Sequence, residues 1–297
     1  MAFFLKKQEK RFLFRINKLY ESAVKESFLK TLVESANWYA APGIKVKVRG
    51  ESILPDGTPV YVKFWKHRRP LHQIKTIMRS TRIEVEGYQY LQFTKNKLPV
   101  PDLILWGSRR IPSFAFGIFK VGIVVTRKIV GGENLSTLLR KKAKPWIIRN
   151  SWQHLKVLEK SAQLLHSIHK KNLIHGDFKL RNIVFTHTKP NGKYWIIDLA
   201  SGYSPLSLGK FFNNSHYTRD LFRMVYDLAK KGFSKYDALF FLKAYFCCEK
   251  DKNQADMLAK QCLDVCLSQK EPRALEATFF FNQTEFRNPF VFLPPTE

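Results

Sequence analysis

In the stretch LIHGDFKLRNIVF, residues 173–185, Asp177 is followed two residues on by Lys179 and three beyond that by Asn182. In YWIIDLASG, residues 194–202, an apolar run ends on Asp198. An acid in a loop, a lysine, an asparagine and an acid at a strand end are the parts that phosphoryl transfer from ATP requires. Asp177 can accept a hydroxyl proton. Asn182 and Asp198 offer a neutral and an anionic oxygen, the ligand types that suit Mg²⁺. A polar hairpin with solvated turn acids would accommodate any one of these residues. Four types at matching spacings, between two apolar strands, favour the catalytic reading.

The arrangement resembles a kinase catalytic loop and its metal-binding strand, written HGDxKxxN and IDLA in place of HRDxKxxN and DFG. Gly176 stands where that pattern has Arg. The usual receptor for an activating phosphate is therefore missing, and no activation-loop switch is expected. Ala200 stands where DFG has its glycine, which leaves the metal acid intact.

These residues need a scaffold, and the sequence supplies its elements. The apolar set Leu155, Leu158, Ala162, Leu165 and Ile168 predicts a helix over 152–169 that runs directly into the loop. Upstream, the alternation in 44–49, the turn residues Asp56 and Gly57, and the run 60–64 predict a hairpin. Its VYVK has the shape of the kinase VAIK strand and makes Lys63 the candidate for the α- and β-phosphates. A helix is predicted over 80–93, where Ile83, Gly87, Tyr90 and Leu91 form one small and apolar face. Glu84 or Glu86 on it could pair with Lys63; the preference for Glu84 comes from a family resemblance. The strand predicted over 118–127, followed by Gly131 and Gly132 and then by Asn134 as a helix cap, resembles the hinge between kinase lobes. Apolar positions over 236–266 predict further helix.

Three stretches resemble the lipopolysaccharide kinases that phosphorylate Kdo or heptose. They are LHSIHKKNLIHGD against LHxxGIxHGD, the loop KNKLPVPDLILWG after an acid and Leu91, and TRDLFRMVYDL against RxDLxRL. The resemblance covers roughly residues 44–250. It implies an α+β, bilobal protein kinase-like fold, with a small β-rich N-lobe carrying a C-like helix and a larger helical C-lobe. The corresponding domains are 41–130 and 131–297, preceded by a basic amphipathic extension, 1–40. It implies an ATP- and Mg²⁺-dependent kinase acting on a core sugar hydroxyl, with an anionic glycolipid as partner. Carried over, Lys63 holds phosphates, Glu84 orients Lys63, and Asp177 is the base. Lys179 neutralises the transferring group, Asn182 and Asp198 hold Mg²⁺, and His175 orients the loop. Asp220 would bond the catalytic-loop backbone. No GxGxxG precedes Val60, so the phosphates must be covered by other backbone within 49–57.

The 297 residues, 45% of them hydrophobic, can form a full core. With 51 Lys and Arg against 24 Asp and Glu the net charge is +27, which draws anions to the surface. A helix is predicted over 16–33. It either packs on the domain or, with the Phe- and Lys-rich first fifteen residues, lies on an anionic bilayer. No secretion signal or membrane-spanning run is read, so the expected place is the cytoplasm, with peripheral contact at the inner membrane. Cys247, Cys248, Cys262 and Cys266 are expected to be buried free thiols. Two other classes fit less well. An atypical serine/threonine protein kinase of the RIO or Bud32 kind shares the HGD loop and is favoured by Lys179, but no peptide-gripping APE segment follows Asp198. A kinase-like shell that binds nucleic acid is opposed by the intact site set and by the lack of a recognised nucleic-acid module.

Overall fold

Alternating apolar residues build the first sheet. The computed structural model describes residues 4–9, 12–40, 47–66, 82–113, 117–141, 152–187, 192–199 and 213–268. In chain order its strands begin with β1 (Phe4–Glu9), β2 (Phe12–Asn17), β3 (Lys47–Ile53), β4 (Pro59–Lys66), β5 (Leu103–Ser113) and β6 (Gly117–Arg127). Among the described residues these six form one antiparallel sheet in the order β1-β2-β5-β6-β4-β3. On β2 Phe12, Phe14 and Ile16 are buried while Leu13 is exposed, the period of two that a sheet with one covered face imposes. The cover is α1 (Glu26–Ala40), which buries Phe28, Leu29, Leu32, Val33 and Ala36 against Phe12, Phe14, Val60, Val62 and Ile123.

This departs from the helix expected over 16–33. Ile16 fits a helical spacing with Leu19 and Tyr20, but it fits a strand with Phe12 and Phe14, and pairing with β1 and β5 on both sides decides for the strand. Asn17 ends it by accepting the Leu19 N–H in a short 3-10 turn, Lys18–Tyr20. The start of the chain thus contributes strands to the sheet, where the sequence suggested an amphipathic extension.

On the sheet also lies α2 (Arg82–Lys95), packed against β5 and β6. Two glycines set its closeness. A Cβ on Gly87 would lie 2.5 Å from the Trp106 ring, and one on Gly122 would lie 2.5 Å from Ile83 Cβ. Gly87→Ala should therefore destabilise the protein. Alanine gains up to about 1 kcal/mol of helix preference over glycine, whereas overpacking a core costs about 1–3 kcal/mol. With Trp106 only 4% exposed, its ring has little room to yield. A lower urea midpoint for this variant is the expected result, and an unchanged midpoint would contradict the close packing of α2.

Two compact units divide the chain: Met1–Gly132 with Phe185–Tyr203, and Glu133–Val184 with Ser204–Glu297. The first contains the sheet, α1 and α2, and takes in β9 (Lys193–Ile196), which follows β8 (Ile183–Thr186). The Ile196 N–H donates to the Pro99 carbonyl at 2.7 Å, which fixes the chain two residues before Asp198.

The second unit is helical. After the short strand β7 (Gly132–Asn134), Asn134 accepts the Thr137 N–H and caps α3 (Leu135–Lys141). α4 (Trp152–Lys170) buries Leu158, Ala162, Leu165 and Ile168, the face read from the sequence. It packs on α6 (Lys235–Phe246), which in turn packs on α5 (Asn213–Lys230) and α7 (Lys252–Ser268). The further helix expected over 236–266 is divided into two helices. Asp251 caps the second by accepting the Asn253 and Gln254 N–H groups, and this forces a break at 247–251. Cys247 and Cys248 fall at the break and are exposed; of the four free thiols only Cys266 is buried, against the expectation for all four. No described helix is long and apolar enough to cross a membrane. The segment 67–79 of the basic linker, Ala200 to Gly202 and the Phe-rich end lie outside the described residues.

Candidate active site

The first unit gathers three of the sequence candidates around one lysine. Lys63 sits on β4, a central strand of the sheet, and is 5% exposed. A buried ammonium needs acceptors, and this one has three. It donates to Glu86 Oε1 and Oε2 at 2.5 and 2.6 Å and to Asp198 Oδ1 at 2.7 Å.

The partner on α2 is Glu86, which corrects the preference for Glu84. Glu84 instead accepts a hydrogen bond from Ser108 Oγ at 2.6 Å. Residues two apart on a helix point about 200° apart, so the two acids cannot both meet Lys63. Ile83, Glu86, Gly87 and Tyr90, at i, i+3, i+4 and i+7, are the buried face. The face was already legible in Ile83, Gly87 and Tyr90, and Glu86 falls on it.

Asp198 has a φ of 63°, the left-handed region that a non-glycine residue adopts only at a cost. Its surroundings hold it there. Besides Lys63, Arg49 Nη2 reaches Asp198 Oδ2 at 3.1 Å, and the Tyr90 phenol bonds the Asp198 backbone. Burial first, and then the charges of Glu86 and Asp198, push the Tyr90 phenol well above its ordinary value, so it stays protonated. Neither Arg49 nor Tyr90 was singled out for this role by the sequence.

The second unit builds the loop that carries Asp177. Two acids one heptad apart on α5 clamp its backbone. Asp220, fully buried, accepts the His175 N–H at 2.8 Å, and Asp227 accepts the Leu180 N–H at 3.0 Å. His169 links Asp220 Oδ2 (3.4 Å) to the Tyr245 hydroxyl (2.7 Å), a packing role in a buried network. The role of Gly176 is conformational: its φ is 78°. The Asp177 N–H donates to His175 Nδ1 at 3.3 Å, so His175 does touch the loop it was expected to orient.

Around Asp177 the charges are uneven. Oδ2 pairs with Lys179 and is 3.4 Å from Asn182 Nδ2, which also donates to the Asp177 carbonyl at 2.9 Å. Oδ1 is shielded from solvent, accepts no hydrogen bond among the described residues and lies 3.6 Å from Arg223 Nη1. A buried acceptor left open is uncommon, and Asp220 Oδ1 and Asp256 Oδ1 are two others among the described residues. Arg223 was missed, although a signal existed: Asp220, Arg223 and Asp227 lie at helical spacing within an otherwise buried stretch of α5.

The residues available to a metal are oxygen donors. In the second unit Asn182 turns its amide nitrogen to Asp177, which leaves its carbonyl oxygen to other partners; in the first unit Asp198 supplies a carboxylate. No group of three or more His, Cys, Asp or Glu side chains placed to hold a metal occurs among the described residues. Oxygen donors of these types suit a hard cation that takes few protein ligands and completes its shell with water and phosphate oxygens.

The lipopolysaccharide kinase (Kdo/WaaP) family model matches residues 62–245, a span that contains Lys63, Glu86, Asp177, Lys179, Asn182 and Asp198. Among solved structures the chain is similar to WaaP in complex with acyl carrier protein, at 15% identity and a TM-score of 0.58, over 87% of this chain and 98% of that one. The fold is thus the α+β, protein kinase-like one, with an antiparallel sheet in the N-terminal part and helices in the C-terminal part. No curated protein matches the sequence.

Proposed function

The chain belongs to the lipopolysaccharide kinase (Kdo/WaaP) family, phosphotransferases that act on a sugar hydroxyl, and from that premise we propose that it transfers the γ-phosphate of ATP to Kdo or heptose of the inner core. The observation that carries the reading is Asp177 Oδ1, a carboxylate oxygen without a hydrogen-bond partner among the described residues, beside two cations. With Mg²⁺, ATP supplies the activated phosphoryl group when bound.

The chain's own residues do the rest. Lys63, locked by Glu86, presents a fixed ammonium to the nucleotide phosphates. Asp198 and Asn182 would hold Mg²⁺ through oxygen. Asp177 accepts the proton of the sugar hydroxyl at Oδ1. Lys179, already paired with Asp177, supplies positive charge where the transferred group gains negative charge. The net charge of +27 supports an anionic glycolipid as acceptor and peripheral attachment to the cytoplasmic face of an anionic membrane.

The test offers labelled ATP and Mg²⁺ to purified core glycolipid and, separately, to a mixed protein pool. Label on glycolipid is expected. Label on protein alone would replace the proposal with an atypical protein kinase, and label on neither would remove the kinase reading altogether.

A further inference from the structure

We infer that Arg49 is a phosphate-binding residue of the nucleotide site, held on Asp198 until a nucleotide enters. The inference rests on the reading of that site as one for ATP. Arg49 and Lys63 are directly opposite in the antiparallel pair β3 and β4, so both side chains leave the same face of the sheet. They converge on one carboxylate and take separate oxygens, Arg49 Nη2 on Oδ2 at 3.1 Å and Lys63 Nζ on Oδ1 at 2.7 Å.

The two cations are held unequally. The Lys63 side chain is 6% exposed and has Glu86 as a second anchor, whereas that of Arg49 is 42% exposed and has Asp198 as its only hydrogen-bond partner among the described residues. With Glu86 and Asp198 the cluster holds two positive and two negative charges. Were Asp198 to give an oxygen to a divalent cation, the guanidinium beside it would face a like charge and compete for the carboxylate. It would then need another anion within the reach of its own side chain. The planar fork of Arg suits a phosphate, and nucleotide phosphates are the anions this reading brings to Lys63 and Asp198.

The sequence shows why a side chain would be used here. No glycine-rich run lies in β3 or in the connection to β4. That connection, residues 54–58, is a tight turn closed by the Leu54 N–H on the Thr58 carbonyl at 2.9 Å, with Gly57 at a φ of 86°. So short a turn offers few free backbone N–H groups to wrap phosphates, and Arg49 supplies donors from the strand itself.

The test is binding to the full chain, read without any acceptor, by displacement of a fluorescent ATP analogue in Mg²⁺. Arg49→Ala should weaken ATP about ten-fold and leave adenosine, which has no phosphate, within about two-fold. Arg49→Lys, which keeps the charge and loses the fork, should fall between. Lys30→Ala, which removes an exposed cation of α1, should leave ATP binding unchanged and so controls for net charge. Equal weakening of ATP and adenosine would show that Arg49 merely supports Asp198, and unaltered ATP binding in Arg49→Ala would remove its role; either overturns the inference alone. A wild-type chain that binds no ATP would overturn the ATP reading and this inference with it.

Discussion

Asp177→Asn is expected to lower phosphoryl transfer about 10²–10⁴-fold, the usual contribution of a positioned general base, while the protein still folds and binds nucleotide. The substitution keeps the shape of the side chain and removes its ability to take a proton. Asn at 177 gives up the carboxylate's pairs with Lys179 and Arg223, but the backbone of the loop has other anchors. It is held by His175 N–H on Asp220, by Leu180 N–H on Asp227, and by Asn182 Nδ2 on the backbone carbonyl of residue 177, which any residue supplies. Lys63, proposed to meet the nucleotide phosphates, and Asp198, proposed to help hold Mg²⁺, belong to the other unit and keep their ion pairs. Turnover with saturating acceptor, nucleotide affinity and the thermal midpoint should thus separate: the first collapses and the other two stay near wild type. A variant that keeps more than about a tenth of wild-type turnover would show that Asp177 is not the base.

The parts of the site that could be read from the sequence are those whose geometry is local. Asp177, Lys179 and Asn182 lie within six residues, on a loop delivered by a helix whose buried face, Leu158, Ala162, Leu165 and Ile168, is plain in its spacing. Asp198 was legible because a short apolar strand ends just before it. Arg49 was not, since its contact with Asp198 spans 149 residues and depends on the register of β3 against β4. The choice between Glu84 and Glu86 was a matter of helix phase, and the apolar face carried the answer. The misread start of the chain has the opposite cause. Phe12, Phe14 and Ile16 alternate for only five residues, too few to outweigh a longer helical pattern until β1 and β5 are seen to pair on either side.

The two acids of α2 separate sharply by substitution. Glu86 is 2% exposed and gives both oxygens to Lys63. Removing one charge of a buried pair costs about 3–5 kcal/mol, because the ion left behind is unpaired in a poorly solvating interior. Here Lys63 keeps Asp198 as an acceptor, so Glu86→Gln should cost about 3 kcal/mol, at the lower end of that range. Its effect on turnover should exceed ten-fold, roughly the value of a charged hydrogen bond, since an ammonium drawn wholly onto Asp198 is less available to a phosphate. Glu84→Gln is the control the structure provides. Gln can accept the Ser108 hydroxyl at the same place, so this substitution should cost less stability than Glu86→Gln. Urea midpoints and turnover for the pair decide the matter. If Glu84→Gln proved the more damaging on both, Lys63 would have to be oriented by Glu84 in the working enzyme, and the register of α2 on the sheet would have to shift by two residues to allow it.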